Sequence, residues 1–320
     1  MSWAKRDYKD IDSGLHKTGI YLLDKLFEAH KKEKPSSYES IEIKKQYKSI
    51  DVLALINDEF AIIIEDKTNT SDNFDKLKKY VDEITKRNFN SESVLPIYFK
   101  TGDQGSYIEI EKAGYARFSR KDFLTVLEYG TNLGVTNSTF LDYYNYLLNI
   151  ENYVNSFRTL PFNDWNKEPF WGRPWHGFFK ELQKLLGDGN WDYVPNKSGG
   201  FMGFGWHVKQ GDNFGIWLQL EEKKLCFKIG VNDKSKQVFL RDHLRDKWFR
   251  AVIKESRNLS LDIIKPAHFG TGTSITVAML NTDYRQVDDE GRIDMEKTIT
   301  LLKKAEELLD AALLSQTVPN

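Results

Sequence analysis

The stretch from Ile50 to Lys67 constrains the fold of this 320-residue chain more than any other part of it. Two almost wholly apolar runs, Ile50 to Ile56 and Phe60 to Ile64, flank the polar turn Asn57-Asp58-Glu59. Apolar residues occupy both the odd and the even positions of each run, so periodicity alone does not exclude a short helix. The β-branched content and the polar interruption favour a β-hairpin that is buried on both faces.

Three charged residues, Glu65, Asp66 and Lys67, end the second strand of this hairpin. Side chains two residues apart on a strand leave the same face, so Glu65 and Lys67 share one face and Asp66 points to the other. A carboxylate in a buried strand costs free energy unless it has a partner. The sequence therefore predicts a polar cluster at this strand end.

The register of the hairpin predicts which residues join that cluster. If the turn spans Asn57 to Glu59, Ile56 pairs with Phe60, and the same register places Asp51 opposite Glu65. Two carboxylates this close repel each other unless a cation or a proton intervenes. Oxygen ligands of this kind suit a hard divalent ion such as Mg²⁺. The ammonium of Lys67 could then hold a water or hydroxide beside the metal.

This arrangement, Asp51 followed after thirteen residues by Glu65-Asp66-Lys67, resembles the signature of the PD-(D/E)XK nuclease superfamily. The pattern of an acid, any residue and a lysine also occurs at Asp7-Tyr8-Lys9, Glu42-Ile43-Lys44, Glu221-Glu222-Lys223 and Glu222-Lys223-Lys224. Only the copy at Glu65 ends a predicted buried strand. An ordinary surface ion pair between Glu65 and Lys67 is the alternative interpretation.

The elements around the hairpin follow the order that the resemblance implies. That order is a restriction-endonuclease-like α-β-β-β-α-β core with a mixed sheet, in the α+β or α/β class. The sequence predicts a helix over Ser13 to His30, a strand over Glu39 to Tyr47, a helix starting at Ser71 or Asp72, strands over Val94 to Phe99 and Tyr115 to Phe118, and a helix over Ser119 to Tyr129.

The resemblance also implies roles for the charged residues. Asp51 and Glu65 would bind Mg²⁺ or Mn²⁺, the main-chain carbonyl of Asp66 would supply a further metal ligand, and Lys67 would position or activate the attacking water. Members of the superfamily often have an additional upstream acid, for which the candidates here are Glu28 and Glu42.

A helix with a Gln-x-x-x-Tyr motif follows the catalytic lysine in some branches of the superfamily. The matching window here runs from Lys76 to Tyr80, with lysine in place of the glutamine. We expect Lys76, Lys79 and Tyr80 to lie along the path of the nucleic acid, where a lysine can contact phosphate.

Composition limits the partners and the compartment. Lysines and arginines number 46 against 47 acids, so overall charge gives no support for nucleic-acid binding and any basic surface must be local. The single cysteine, Cys226, lies in a predicted strand and excludes an internal disulfide. No apolar run approaches the roughly 20 residues that cross a bilayer, and the charged segment Met1 to Asp12 lacks a signal-peptide core. We therefore expect a cytoplasmic protein without membrane contact.

The length predicts two domains rather than one. We place the boundary near residue 155. Residues 1–155 then form a nuclease-like domain that includes a connecting helix, and residues 156–320 form an aromatic-rich α+β domain. The second domain should contain an antiparallel sheet. The predicted elements are helices over 175–186, 236–256 and 295–314, and strands over 191–194, 203–209, 214–220, 224–231 and 274–280.

Aromatic residues are dense in this second domain. Six of them lie in or beside its predicted strands, namely Trp191, Phe204, Trp206, Phe214, Trp217 and Phe227. Such rings can stack bases or hold a peptide, but alternation along the strands makes most of them core residues. The domain is expected to serve recognition or regulation, through nucleic acid, a protein partner or a homodimer contact.

These observations lead to one main hypothesis and two alternatives. The main hypothesis is a Mg²⁺-dependent nuclease that hydrolyses phosphodiester bonds, with DNA as the substrate by family analogy. Its domain context is typical of bacterial or phage defence proteins. The first alternative is a non-catalytic nuclease-like module that binds nucleic acid or protein. The second is a stand-alone interaction protein in which the second domain recognises a partner and the first domain is a scaffold.

Overall fold

The structure is a computed structural model that describes residues 1–317 except 69, 71–72, 87–88, 197–198, 212–213, 232, 237, 239–242 and 269–271. The chain divides into two compact units, Met1–Asn152 and Tyr153–Asn320. The predicted boundary near residue 155 falls three residues beyond this division, at the end of a helix.

The first unit contains a five-stranded mixed sheet in the order β1-β2-β3-β4-β5. Its strands are β1 (Ile41–Tyr47), β2 (Ile50–Ile56), β3 (Phe60–Lys67), β4 (Val94–Lys100) and β5 (Ala116–Ser119). Its helices are α1 (Tyr8–Ile11), α2 (Ser13–Ala29), α3 (Phe74–Thr85), α4 (Ile108–Lys112), α5 (Arg120–Asn132) and α6 (Ser138–Asn155). Neighbouring strands are antiparallel from β1 to β3 and parallel from β3 to β5. The predicted mixed sheet is thus confirmed, whereas α1 and α4 were not predicted.

The central hairpin has the predicted register. Ile56 pairs with Phe60, and the pairing continues to Val52 opposite Ile64. Asn57 and Asp58 adopt left-handed backbone angles in the turn, with φ of +54° and +53°, which these residue types tolerate better than most.

Side-chain caps set where the helices of this unit begin. Asp12 accepts a hydrogen bond from the main chain of Leu15 at 2.9 Å and starts α2. Asn73 caps α3 in the same way, while the predicted caps Ser71 and Asp72 lie outside the described residues. Ser119 forms a capping box at the start of α5. Each cap satisfies main-chain N–H groups that lack partners within the helix.

Apolar residues cover both faces of the sheet. One face packs with α2 through Leu23, Leu26, Phe27, Ala54, Ile62, Ile64 and Leu95, and the other with α3 through Leu53, Ile63, Leu77, Tyr80, Ile84 and Tyr98. Ile62 and Ile63, on opposite faces of β3, are both fully buried. Burying each such side chain stabilises the fold by about 1.5–3 kcal/mol. The strand that carries Glu65 is therefore firmly held.

The second unit contains a six-stranded antiparallel sheet in the order β10-β11-β9-β8-β7-β6. Its strands are β6 (Asn190–Asn196), β7 (Gly199–Gln210), β8 (Gly215–Glu221), β9 (Lys224–Gly230), β10 (Ile263–Ile264) and β11 (Ser274–Leu280), and its helices are α7 (Arg173–Leu186), α8 (Arg245–Ser256) and α9 (Met295–Thr317). The predicted α+β class is confirmed. Where the sequence predicts one helix over 236–256, α8 begins at Arg245, and residues 237 and 239–242 lie outside the description.

The core of this unit lies on one face of the sheet. Four of the six strand aromatics belong to it, namely Trp191, Phe204, Trp206 and Phe227, and Phe214 packs against it. Cys226 is buried, and burial raises the pKa of its thiol to about 12, as suits a structural residue. Across the described chain, the helices are all too short or too polar to pass through a bilayer.

Candidate active site

Asp51 and Glu65 lie side by side at one end of the central hairpin. Val52 pairs with Ile64, so the next position outward places Asp51 opposite Glu65 on a shared face. Glu65 is fully buried, whereas the Asp51 side chain keeps 24% of its surface exposed and that of Lys67 14%. A buried acid thus sits beside two partly accessible charged groups.

Lys67 joins the two acids. Its Nζ lies 2.5 Å from Glu65 Oε1 and 3.4 Å from Asp51 Oδ2. It also lies 3.3 Å from the main-chain carbonyl oxygen of Asp66. Three oxygens from three residues therefore converge on one cationic nitrogen. They belong to the two carboxylates and the main-chain carbonyl that the resemblance implies as metal ligands.

Lys76 brings a second ammonium to Glu65. It lies in the first turn of α3, and its Nζ donates to Glu65 Oε1 at 2.8 Å. The same nitrogen lies 5.5 Å from the ring centroid of Tyr80, one helical turn further along. Hydrogen bonds between charged groups are about twice as strong as neutral ones, so two cations compensate the buried Glu65.

The main chain of Asp66 binds Asp51, whereas burial and the neighbouring charges act on the Asp66 carboxyl. The main-chain N–H of Asp66 donates to Asp51 Oδ2 at 3.0 Å. Burial raises the pKa of the Asp66 carboxyl, repulsion from Asp51 raises it further, and attraction to Lys67 opposes both effects. Ionisation of this side chain therefore costs more free energy in the folded protein than in the unfolded chain.

Gln46 is a site residue that the sequence did not reveal. Its Nε2 donates to Asp51 Oδ1 at 3.2 Å, so both oxygens of Asp51 are held. Tyr47 pairs with Ile50, which places Gln46 beside Asp51, and Gln46 adopts a left-handed φ of +50°. Extending the hairpin register across the β1–β2 turn would have identified it.

The remaining predicted residues lie in different surroundings. Tyr80 is only 6% exposed and packs in the core, so its ring face is not a surface for bases, whereas Lys79 is exposed. Glu28 pairs with Lys25 within α2 at 2.6 Å. Glu42 pairs opposite Leu55, four residues along β2 from Asp51, a separation of about 13 Å. The structure therefore assembles Asp51, Glu65, Lys67 and Lys76 without Glu42.

Buried cations also lie beside the end of β3. Lys100, 2% exposed, pairs in register with Lys67 on the next strand and donates to the carbonyl of Thr70 at 2.5 Å. The main-chain N–H of Thr101 donates to the carbonyl of Lys67 at 3.1 Å.

Arg120 is a second buried cation, and it contacts the main chain at Thr101, the residue after Lys100. It is 2% exposed and donates to the carbonyl of Thr101 at 2.6 Å. It also contacts Asp103 at 3.0 Å and Glu151 at 2.7 Å. Neither Lys100 nor Arg120 was predicted from the sequence, although a lysine that ends an apolar strand is an unusual signal.

The donor set at Asp51 fits a hard divalent ion in its chemistry. It comprises two carboxylates and one carbonyl oxygen, the ligands that Mg²⁺ and Mn²⁺ accept. Among the residues that the structure describes, no group of three or more His, Cys, Asp or Glu side chains is arranged to hold a metal ion. A metal here would thus need the main-chain oxygen as well.

Comparison with protein-family models, with curated proteins and with solved structures found no match to this chain.

Proposed function

We propose that the first unit is a metal-dependent nuclease of the PD-(D/E)XK kind, with DNA as its substrate class. The observation that carries the proposal is the convergence of Asp51 Oδ2, Glu65 Oε1 and the Asp66 carbonyl oxygen on Lys67 Nζ. A surface ion pair needs only one such contact. An arrangement of three oxygens around one cation suits charge-based chemistry on a phosphate.

The order of elements supports the proposal. The chain runs through α2, β1, β2, β3, α3 and β4, which is the α-β-β-β-α-β order of the restriction-endonuclease-like core. The apolar faces described above pack α2 and α3 on opposite sides of the sheet. Fold likeness is analogy, so function must rest on the site itself.

Each charged group then has a role. Asp51, Glu65 and the Asp66 carbonyl would hold Mg²⁺ or Mn²⁺, which would supply positive charge for the phosphate and lower the pKa of a bound water. Lys67 donates its N–H groups to orient the attacking water. Gln46 and the Asp66 N–H fix Asp51 from both sides.

Lys76 and Lys79 supply positive charge for the nucleic-acid backbone. Lys76 is 38% exposed while it touches Glu65, so it can contact a phosphate without leaving the cluster. Lys79 is exposed on the same helix. Because the chain as a whole carries a net charge of −1, binding would depend on this local surface and would weaken as salt rises.

The test is cleavage of supercoiled plasmid and of single-stranded DNA with Mg²⁺ or Mn²⁺. We expect cleavage by the unaltered protein, loss of cleavage with a chelator, and a loss of at least 100-fold in Lys67→Ala, in the range of a removed electrostatic or proton-transfer group. Lys112→Ala is the matched control, since Lys112 is an exposed lysine paired with Glu109. DNA retarded in a gel but never cut would replace the nuclease with a non-catalytic binding module.

The second unit is proposed to serve recognition, whether of nucleic acid, of a protein partner or of a second copy of the chain. A reducing compartment such as the cytoplasm is proposed as its location, since its one cysteine is a buried thiol.

A further inference from the structure

A groove lies on the face of the six-stranded sheet opposite the core of the second unit. It has a volume of about 530 Å³, and residues of β6, β7, β8, β9 and β11 line it. Side chains alternate along β8: Ile216, Leu218 and Leu220 are fully buried in the core. Trp217 and Gln219 lie between them and face the groove.

Two glycines make room for the Trp217 ring on the neighbouring strands. A β-carbon on Gly230 of β9 would lie 2.8 Å from Cη2 and 3.0 Å from Cζ3 of Trp217. A β-carbon on Gly205 of β7 would lie 3.7 Å from Cδ1, at the other end of the indole. The ring therefore extends across the sheet from β7 to β9, above both glycines, and Trp217 lines the groove.

Polar contacts fix this ring in place. The indole N–H of Trp217 donates to Gln219 Oε1 at 3.2 Å, and Gln219 Nε2 donates to Glu221 Oε1 at 3.0 Å. Lys228 Nζ contacts the same Glu221 oxygen at 2.8 Å. Because the indole nitrogen has its acceptor within the sheet, the ring presents only its π face to a ligand.

The rim of the groove is polar and poor in charge. Its polar side chains are Asn190, Asp192, Gln210, Thr273 and Ser274. Within the described lining, Asp192 is the single ionisable side chain, and no lysine, arginine or histidine is present. Lys228, which pairs opposite Trp217, has its ammonium on Glu221. The amide, hydroxyl and carboxylate groups of the rim can pair with the donors and acceptors of an uncharged ring.

We propose that this groove binds a nucleobase, with its ring stacked on Trp217 and its edge hydrogen-bonded by the rim. Stacking on an aromatic side chain accepts any base, because every base has a π face. A cavity of this size lies within the range of small-molecule sites. The base can belong to a free nucleoside or to a single strand, and this inference does not depend on cleavage by the first unit.

The experiment measures binding to the full chain by isothermal titration calorimetry in a chelator, so that no cleavage occurs. The probes are adenosine, thymidine, their 5′-monophosphates, a ten-nucleotide single strand and maltose. We expect the nucleosides or the strand to bind, the monophosphates to bind no more tightly than the nucleosides, and maltose not to bind. Binding of the strand without binding of nucleosides would identify the strand as the source of the base.

Two matched pairs of variants assign the site. Trp217→Ala removes the platform, and we expect affinity to fall roughly 5- to 150-fold, the range of one stacked base. Trp171→Ala is its control, since Trp171 is 68% exposed outside the groove. Gly230→Ala should displace the ring and lower affinity, while Gly205→Ala adds only an ordinary contact and should not. Circular dichroism checks folding, and Trp217→Phe, which keeps a smaller ring, should bind with intermediate affinity.

Several outcomes would overturn the inference. These are binding that survives both Trp217→Ala and Gly230→Ala, monophosphates that bind more than about fivefold tighter than nucleosides, maltose as the preferred ligand, or no binding by any nucleoside or by the strand.

Discussion

Replacing Glu65 with glutamine should destabilise the first unit. The substitution keeps the volume of the side chain and removes its charge. Glu65 is fully buried and accepts hydrogen bonds from Lys67 at 2.5 Å and Lys76 at 2.8 Å. Without the carboxylate, two ammonium groups would converge on a neutral amide. Removing one partner of a buried ion pair destabilises because the other charge stays behind.

The exposure of each lysine sets the magnitude. Lys67 is 14% exposed, so its charged hydrogen bond contributes about 1.5–3 kcal/mol. Lys76 is 38% exposed and contributes about 0–1 kcal/mol, as surface pairs do. Two effects reduce the loss in the variant. Lys67 still has Asp51 as an ionic partner at 3.4 Å, and the cost of removing the Glu65 carboxylate from water no longer applies. We therefore expect a net loss of about 2 kcal/mol in the free energy of unfolding.

Hydrogen exchange measured by mass spectrometry, with urea unfolding beside it, tests this expectation. Peptides from β2 and β3 should exchange faster in Glu65→Gln, while peptides from β7 to β9 serve as an internal reference. Glu28→Gln is the matched control, because Glu28 is 68% exposed and pairs with Lys25, so we expect a change below about 1 kcal/mol. If Glu65→Gln proved as stable as the unaltered protein or more so, the desolvation of Glu65 would outweigh both lysines and the reasoning would fail.

Three further predictions concern charges in the first unit. Arg120→Met should destabilise by about 3–5 kcal/mol in urea unfolding, since it leaves Asp103 and Glu151 without the arginine that compensates them. Asp66→Asn should stabilise the folded protein at pH 7, because folding raises the pKa of the Asp66 carboxyl and its ionisation therefore disfavours the folded state. This gain in the free energy of unfolding should shrink as the pH falls toward 3.8, the pKa of the carboxyl outside the fold. A gain that is independent of pH would contradict the prediction. Saturating Mg²⁺ at 100 times its dissociation constant should stabilise the unaltered protein by about 2.7 kcal/mol, and calorimetry should show no such effect in Asp51→Asn.

The hairpin was predictable because its signals are local. Apolar β-branched residues, a three-residue turn and the alternation of side chains together set one register, and that register decides that Asp51 faces Glu65. A slip of one residue would have turned Leu53 and Ile63 away from α3, and both are buried. The pairing of Asp51 with Glu65 could therefore be predicted from the sequence without knowledge of the tertiary fold.

The cations around the site were not predictable in the same way. Lys76 reaches Glu65 only because α3 packs its apolar side on the sheet, and the same packing buries Tyr80, which the motif suggested for the nucleic-acid path. Arg120 and Glu151 are 31 residues apart, a pairing that no periodicity reports. Gln46 is the exception, because extending the register of the hairpin across the β1–β2 turn places it beside Asp51.

The surroundings of Trp217 also depend on the tertiary fold. For this reason alternation alone could not decide whether its ring lies in the core or in the groove. Alternation states that Trp217 and Leu218 face opposite sides of β8, but not which side the helices cover. The room for the indole comes from Gly205 and Gly230, on strands that reach β8 only through the pairing of the whole sheet. Alanine at Gly230 would force the ring to move, even though alanine differs from glycine by one methyl group. The identity of a small residue on a neighbouring strand therefore determines whether an aromatic residue on this face can serve as a platform.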